Sequence, residues 1–282
     1  MAVTELELTL PAGDERTVTT DDGAELAVTV GAGTGSTVVF AHGWTNNRSV
    51  WAPVARDVAA AGHRVVLYDQ RGHGASTFGA AAPDVERLGG DLACVLADLD
   101  VADALLVGHS MGGFTTMAFA CHHPAELAAR VRGLVLVSTA AHGVGFGRLG
   151  PVVSPVLGPV MGWAMARPRA GDVLVRRVLG RRPRDTHIST TRAMYVATPT
   201  HVRVGCFNRF GEMDLREGLA RVDVPAVVLV GSRDRLTPPR LGRAVAAAVP
   251  GARFEVLPDA GHMLQLERAA EVTRTILQQG SP

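Results

Sequence analysis

Lysine is absent from this 282-residue chain, and all 28 basic side chains are arginine. With alanine, glycine and valine so abundant, this bias reads as genomic composition and carries no chemistry by itself. Cysteine is scarce. Cys94, Cys121 and Cys206 are odd in number and widely spaced, which excludes a disulfide framework and points to a reducing, cytoplasmic setting. The first residues lack the basic and apolar regions of a secretion signal; Leu6–Leu10 alternates with period two and reads as a first strand. The near-absence of net charge, +1, gives no reason to expect nucleic acid as a partner. No cofactor or metal motif is evident. Cys121-His122-His123 are adjacent on a predicted helix, where neighbouring side chains diverge, and no second ligand cluster accompanies them.

What the chain has in quantity is apolar sequence, 47% of residues, ample for one large α/β domain. Strand-like runs recur at Leu6–Leu10, Leu26–Val30, Thr37–Ala41, Arg64–Tyr68, Ala104–Val107, Gly133–Val137, Ala226–Val230 and Arg253–Leu257. The later ones are continuously apolar, as strands buried on both faces are. Helical patterns alternate with them at Ser49–Ala61, Asp84–Leu99, Gly112–His122, Arg240–Ala248 and Gln265–Gln278. This alternation predicts an α/β fold with a mostly parallel, eight-stranded, doubly wound sheet.

One interval breaks the rhythm. Residues 140–217 hold no core strand and are expected to form a helical cap, or lid, inserted into a core made of residues 1–139 and 218–282. Inside it Leu149–Ala166 carries no charge. Pro151, Pro155, Pro159 and three glycines are expected to break this segment up, so it is not read as a membrane span. The segment reads either as a lid with an apolar inner surface or as plain buried packing. The interval carries 12 arginines against 5 acids, a net +7, whereas the remainder is −6. Such a basic cap would attract an anionic substrate, an anionic lipid surface or an acidic carrier protein; a solvated helix face is the plainer reading.

The chemistry concentrates at Leu105-Leu106-Val107-Gly108-His109-Ser110-Met111-Gly112-Gly113, an apolar run breaking into Gly-x-Ser-x-Gly and then into a helix. A serine on that strand-to-helix turn presents its hydroxyl above a helix N-terminus, where a developing oxyanion is stabilised. Acyl transfer also needs a base, and a carboxylate to orient it. Two loops after late strands supply them: Asp234, in Gly231-Ser232-Arg233-Asp234, and His262, in Asp259-Ala260-Gly261-His262. Asp259 is too near His262 in sequence to face it easily, and His109 is expected to pack against the elbow. The backbone N–H groups of Met111 and Trp44, the latter from His42-Gly43-Trp44, are the expected oxyanion donors.

These motifs, with Tyr68-Asp69-Gln70-Arg71-Gly72-His73-Gly74-Ala75-Ser76, span nearly the whole chain. The chain resembles the α/β-hydrolase superfamily, in its esterase, monoacylglycerol-lipase-like and perhydrolase-like branch. The resemblance implies a serine hydrolase acting on a carboxylic ester, with a lipidic or thioester substrate among the options. It implies a structural loop at Asp69–Ser76. Relatives with an aspartate nucleophile are excluded by Ser110, and an aminopeptidase-like reading lacks an acidic site for a substrate amine. Three rivals on the same scaffold stay open: perhydrolysis, carbon–carbon bond cleavage or other biosynthetic chemistry, and ligand binding without turnover.

Overall fold

The structure, a computed structural model, describes residues 8–81, 83–144, 150–211 and 213–280. Eight strands form one sheet: β1 (Gly13–Thr19), β2 (Glu25–Gly31), β3 (Gly35–Ala41), β4 (His63–Tyr68), β5 (Ala104–His109), β6 (Val131–Val137), β7 (Ala226–Gly231) and β8 (Arg253–Leu257). Their order is β1-β2-β4-β3-β5-β6-β7-β8. The two pairings at the β1 end are antiparallel and the rest are parallel, so the sheet is the mostly parallel one expected.

The first strand is not the predicted one. Leu8–Leu10 make no strand, and the first part of that prediction lies outside the described residues. The true edge strand is Gly13–Thr19, of which only Val18 is buried. Its polar residues line an exposed edge, so no apolar alternation marks it. The central strands behave as their sequences require. β5 and β7 are buried along their whole length, because helices cover both faces of a parallel sheet.

On one face pack α2 (Val85–Asp98), α3 (Met111–His122) and α10 (Pro239–Ala248); on the other lie α1 (Ala52–Ala60) and α12 (Ala269–Gly280). A short α4 (Pro124–Arg130) went unpredicted; it buries only Leu127 and has no apolar stripe to reveal it. Asp84 caps α2, accepting a hydrogen bond from the Arg87 amide. Parallel pairing aligns Ala41 with Gly108, His109 with Val137, and Gly231 with Leu257. The loops after β3, β5, β7 and β8 therefore open on one sheet edge, where ligands of such sheets bind.

Between β6 and β7 lie α5 (Gly150–Met165), α6 (Pro168–Arg176), α7 (Asp185–Ala197), α8 (Thr200–Phe210) and the short α9 (Arg216–Leu219). The prolines do not break the charge-free segment: α5 runs through Pro151, Pro155 and Pro159 as one helix. Pro151 sits in the first turn, where no donor is needed. The other two prolines each forfeit one backbone hydrogen bond, which the remaining turns outweigh. Among the described residues no helix is long and apolar enough to cross a membrane.

The chain between α6 and α7 is fastened to the sheet edge. Val178 O accepts from the His262 amide at 2.8 Å, and Asp259 O from the Arg181 amide at 2.9 Å. The Glu267 carboxylate, at the end of α11 (Leu264–Glu267), accepts from the amides of Gly180 (2.6 Å), Gly261 (3.1 Å) and Met263 (3.1 Å).

Candidate active site

Ser110 occupies a backbone conformation that L-residues rarely adopt, φ 51° and ψ −115°, between β5 and α3. The turn closes because no side chain stands in its way. A Cβ on Gly112 would lie 2.1 Å from Ala41 O, and one on Gly108 would lie 2.3 Å from Gly112 O. The strained serine is held through its main chain. Its amide donates to Val137 O at 3.0 Å, and its carbonyl accepts from Gly113 N (2.8 Å) and Thr139 Oγ1 (2.8 Å). The Oγ position is thus over-determined by its surroundings, the condition for such strain to persist at a working site.

Asp234 and His262 meet. Asp234 Oδ2 lies 2.9 Å from His262 Nδ1, and both groups are buried. A carboxylate accepts, so Nδ1 carries the proton and Nε2 keeps its lone pair. Three further donors hold the carboxylate: the amides of Leu236 and Thr237 to Oδ1, each at 2.9 Å, and Thr237 Oγ1 to Oδ2 at 2.8 Å. Burial penalises the charge of Asp234. The attraction of His262 and these hydrogen bonds outweigh that penalty and hold its pKa below the usual carboxylate range. Asp259, the rejected alternative, pairs with Arg233 Nε at 3.1 Å on the surface.

Of the groups that position these residues, His109 was expected at the elbow, and the sequence did not reveal the others. His109 is fully buried beside Ser110. Its Nε2–H donates to His262 O (2.9 Å), and its Nδ1 accepts from Gln265 Nε2 (3.2 Å). Burial pushes its pKa down to about 3, so it braces the His262 main chain as a neutral ring. A second neutral histidine secures the loop after β3. His42 Nε2 accepts from the Gln70 amide at 2.9 Å, which leaves Nδ1–H to donate to Gly43 O at 2.8 Å. Burial lowers its pKa to about 4. The Gln70 side chain bridges His42 O and Thr115 Oγ1, coupling this loop to α3. Thr237, three residues after Asp234, is the one support with a local signal, since short polar side chains so spaced form turns with an aspartate.

The Asp69–Ser76 loop is a scaffold. Asp69 accepts from the amides of Arg48 and Ala75. The Arg71 side chain is wholly buried between Asp22 (2.9 Å) and Asp91 (2.5 Å).

The two expected oxyanion donors flank the turn. Met111 is the first residue of α3, so its N–H has no intrahelical acceptor. Trp44 follows the loop held by His42, and neither amide donates to a backbone carbonyl among the described residues. Ser110, His262 and Trp44 line one cavity of about 440 Å³. Its walls are apolar: Leu157, Met161 and Met165 from α5, with Tyr195, Phe207 and Leu236. Arg177 and Arg203 also border it, and among the described residues no carboxylate does.

Comparison with known proteins finds relatives of the same fold. The family model described as "Serine aminopeptidase, S33" matches residues 34–269. The chain is 32% identical over 270 residues to a non-heme chloroperoxidase of Kitasatospora aureofaciens, covering 86% of this chain and 90% of that one. An enol-lactonase structure from Burkholderia xenovorans superposes with a TM-score of 0.79 at 28% identity, covering 94% of this chain and 99% of the other. An esterase from Exiguobacterium antarcticum shares the fold, with a TM-score of 0.82 at 21% identity over 94% and 98% of the two chains.

Proposed function

Since the chain belongs to the α/β-hydrolase family that the S33 model describes, we propose that it is a serine hydrolase cleaving a carboxylic ester through an acyl-enzyme. The observation carrying this reading is the Asp234–His262 pair at 2.9 Å, whose imidazole opens with Ser110 onto one cavity. His262 Nε2 takes the Ser110 hydroxyl proton as Oγ attacks the ester carbonyl. The amides of Trp44 and Met111 stabilise the tetrahedral oxyanion. The proton then passes to the departing alkoxide, and a water deprotonated by the same nitrogen releases the acid. Asp234 holds the imidazole tautomer and stabilises its cation.

The walls support an apolar acyl or alcohol part, with the α5–α9 insertion serving as a cap over the site. They do not suit an aminopeptidase substrate. An α-ammonium group needs an acceptor of negative charge, and among the described residues the polar borders of this cavity include two arginines and no carboxylate. A second reading draws on the similarity to a chloroperoxidase: hydrogen peroxide in place of water resolves the acyl-enzyme to a peroxy acid. Nothing in the first half-reaction changes.

Ser110→Ala is expected to lower turnover of short p-nitrophenyl esters by at least about 1,000-fold without loss of folding. It is also expected to abolish labelling by a fluorophosphonate. Retained turnover in the folded variant would sink the mechanism. Assays of wild-type protein with and without peroxide separate the two fates of the acyl-enzyme.

A further inference from the structure

Nine large apolar side chains are exposed among the described residues, and five of them belong to α5. They divide by helical spacing. Leu157, Met161 and Met165, each four apart, line the catalytic cavity. Val156, Val160 and Trp163 recur at intervals of four and three and so form a separate stripe. These three are 66%, 56% and 60% exposed. An apolar stripe on a helix without a single charge is a surface that water does not favour. The stripe ends at Arg167, one further turn along, whose guanidinium lies 3.5 Å over the Trp163 ring.

We propose that this face of α5 docks on an anionic lipid surface, laying Val156, Val160 and Trp163 into the interface at the rim of the catalytic cavity. Helices that lie in a membrane plane combine an apolar face with flanking cations, and a tryptophan is suited to the boundary. The cations are present. Arg167, Arg169 and Arg177 are exposed, and none has a carboxylate partner among the described residues. Charge also selects between occupants. The 140–217 stretch bears a net +7 and the remainder −6. A two-fold contact through this stripe would bring two cationic stretches together, whereas an anionic bilayer neutralises one. The cavity side of α5 adjoins the docked side, so an amphiphile leaving the bilayer meets apolar surface all the way to Ser110. Docking itself does not depend on the reaction proposed above.

The test is flotation of the whole protein with vesicles of equimolar phosphatidylcholine and phosphatidylglycerol, beside vesicles of phosphatidylcholine alone. We expect co-flotation with the anionic vesicles, at least about tenfold weaker binding to the neutral ones, and weakening by salt. Trp163 fluorescence shifts to the blue on docking. The V156S/V160S/W163S variant alters no cavity-lining side chain; it is expected to lose vesicle binding at least about tenfold while hydrolysing soluble short esters like the wild type. Absence of co-flotation with anionic vesicles overturns the proposal, as does undiminished binding by the triple variant. A concentration-dependent dimer abolished by the same three substitutions, without vesicle binding, assigns the face to self-association instead.

Discussion

Two amides, a hydroxyl and an imidazole converge on the Asp234 carboxylate. Its replacement therefore does more than subtract one charge. In Asp234→Asn the amide nitrogen faces either the two backbone donors, which are then stranded, or His262 Nδ1, which then loses its proton to Nε2; in both cases the charge that stabilises the imidazolium is gone. We expect kcat to fall by about 1,000- to 10,000-fold with KM little changed, measured on a soluble ester. The meeting of Asp234 with His262, and of His262 with Ser110 at one cavity, was legible in the sequence because each lies on a loop past a strand, and strand ends are where such sheets place their ligands. His42, Gln70, Thr115 and Gln265 were not. Their roles arise from contacts such as Gln265 with His109, 156 positions apart, and no local pattern encodes a contact at that distance.

Elements obey the same rule. Strands β4 to β7 were legible because burial on both faces writes an apolar run; β8, an edge strand of which only Leu257 is buried, is not such a run, and β1 was missed because its exposed edge can be polar. The prolines of α5 misled because they signal local cost, while the helix is stabilised by neighbours, chiefly α8 and α6. The junction between the insertion and the β8 loop was invisible, being built from main-chain groups gathered on one carboxylate, Glu267, which lies 87 positions from Gly180. Glu267→Ala tests it. Removing one carboxylate strands the amides of Gly180, Gly261 and Met263, and stranded buried donors cost about 1–3 kcal/mol each where water does not replace the partner. We expect a lower midpoint in urea unfolding and a several-fold drop in kcat as the His262 loop loosens.

For the molecule as a whole, acidity is the sharpest stress. His42, His73 and His109 are buried, and burial lowers their pKa values from 6.5 to about 4, 3 and 3. The unfolded chain binds protons at these positions below about pH 6.5, whereas the folded chain refuses them. Stability therefore falls as pH drops from 6.5 toward 4, by up to about 1.4 kcal/mol per pH unit for each histidine. Asp234 adds to the loss at the lower end, since its depressed pKa stabilises the fold above the ordinary carboxylate range and ceases to do so as the carboxylate is protonated. Urea unfolding at a series of pH values is expected to show a steep decline over this window, and a flat profile would contradict the neutral, buried assignment. His42→Gln, which keeps an acceptor near the Gln70 amide, is expected to make the decline shallower.

The two main-chain hydrogen bonds joining Val178 and Arg181 to the loop of His262 and Asp259 have a kinetic corollary. A roof hinged freely above its nucleophile admits water and reactant alike, with the proton acceptor always ready. Here the segment leading out of α6 cannot lift without tugging the Asp259–His262 backbone that carries the imidazole. On the reading of the insertion as a cap over a hydrolase site, admission and proton transfer alternate: when that side of the cap is raised the proposed base is unseated, and when the base is seated that side is shut. On that same reading traffic is left to the α5 rim, and the proposed hydrolysis is confined to the closed molecule.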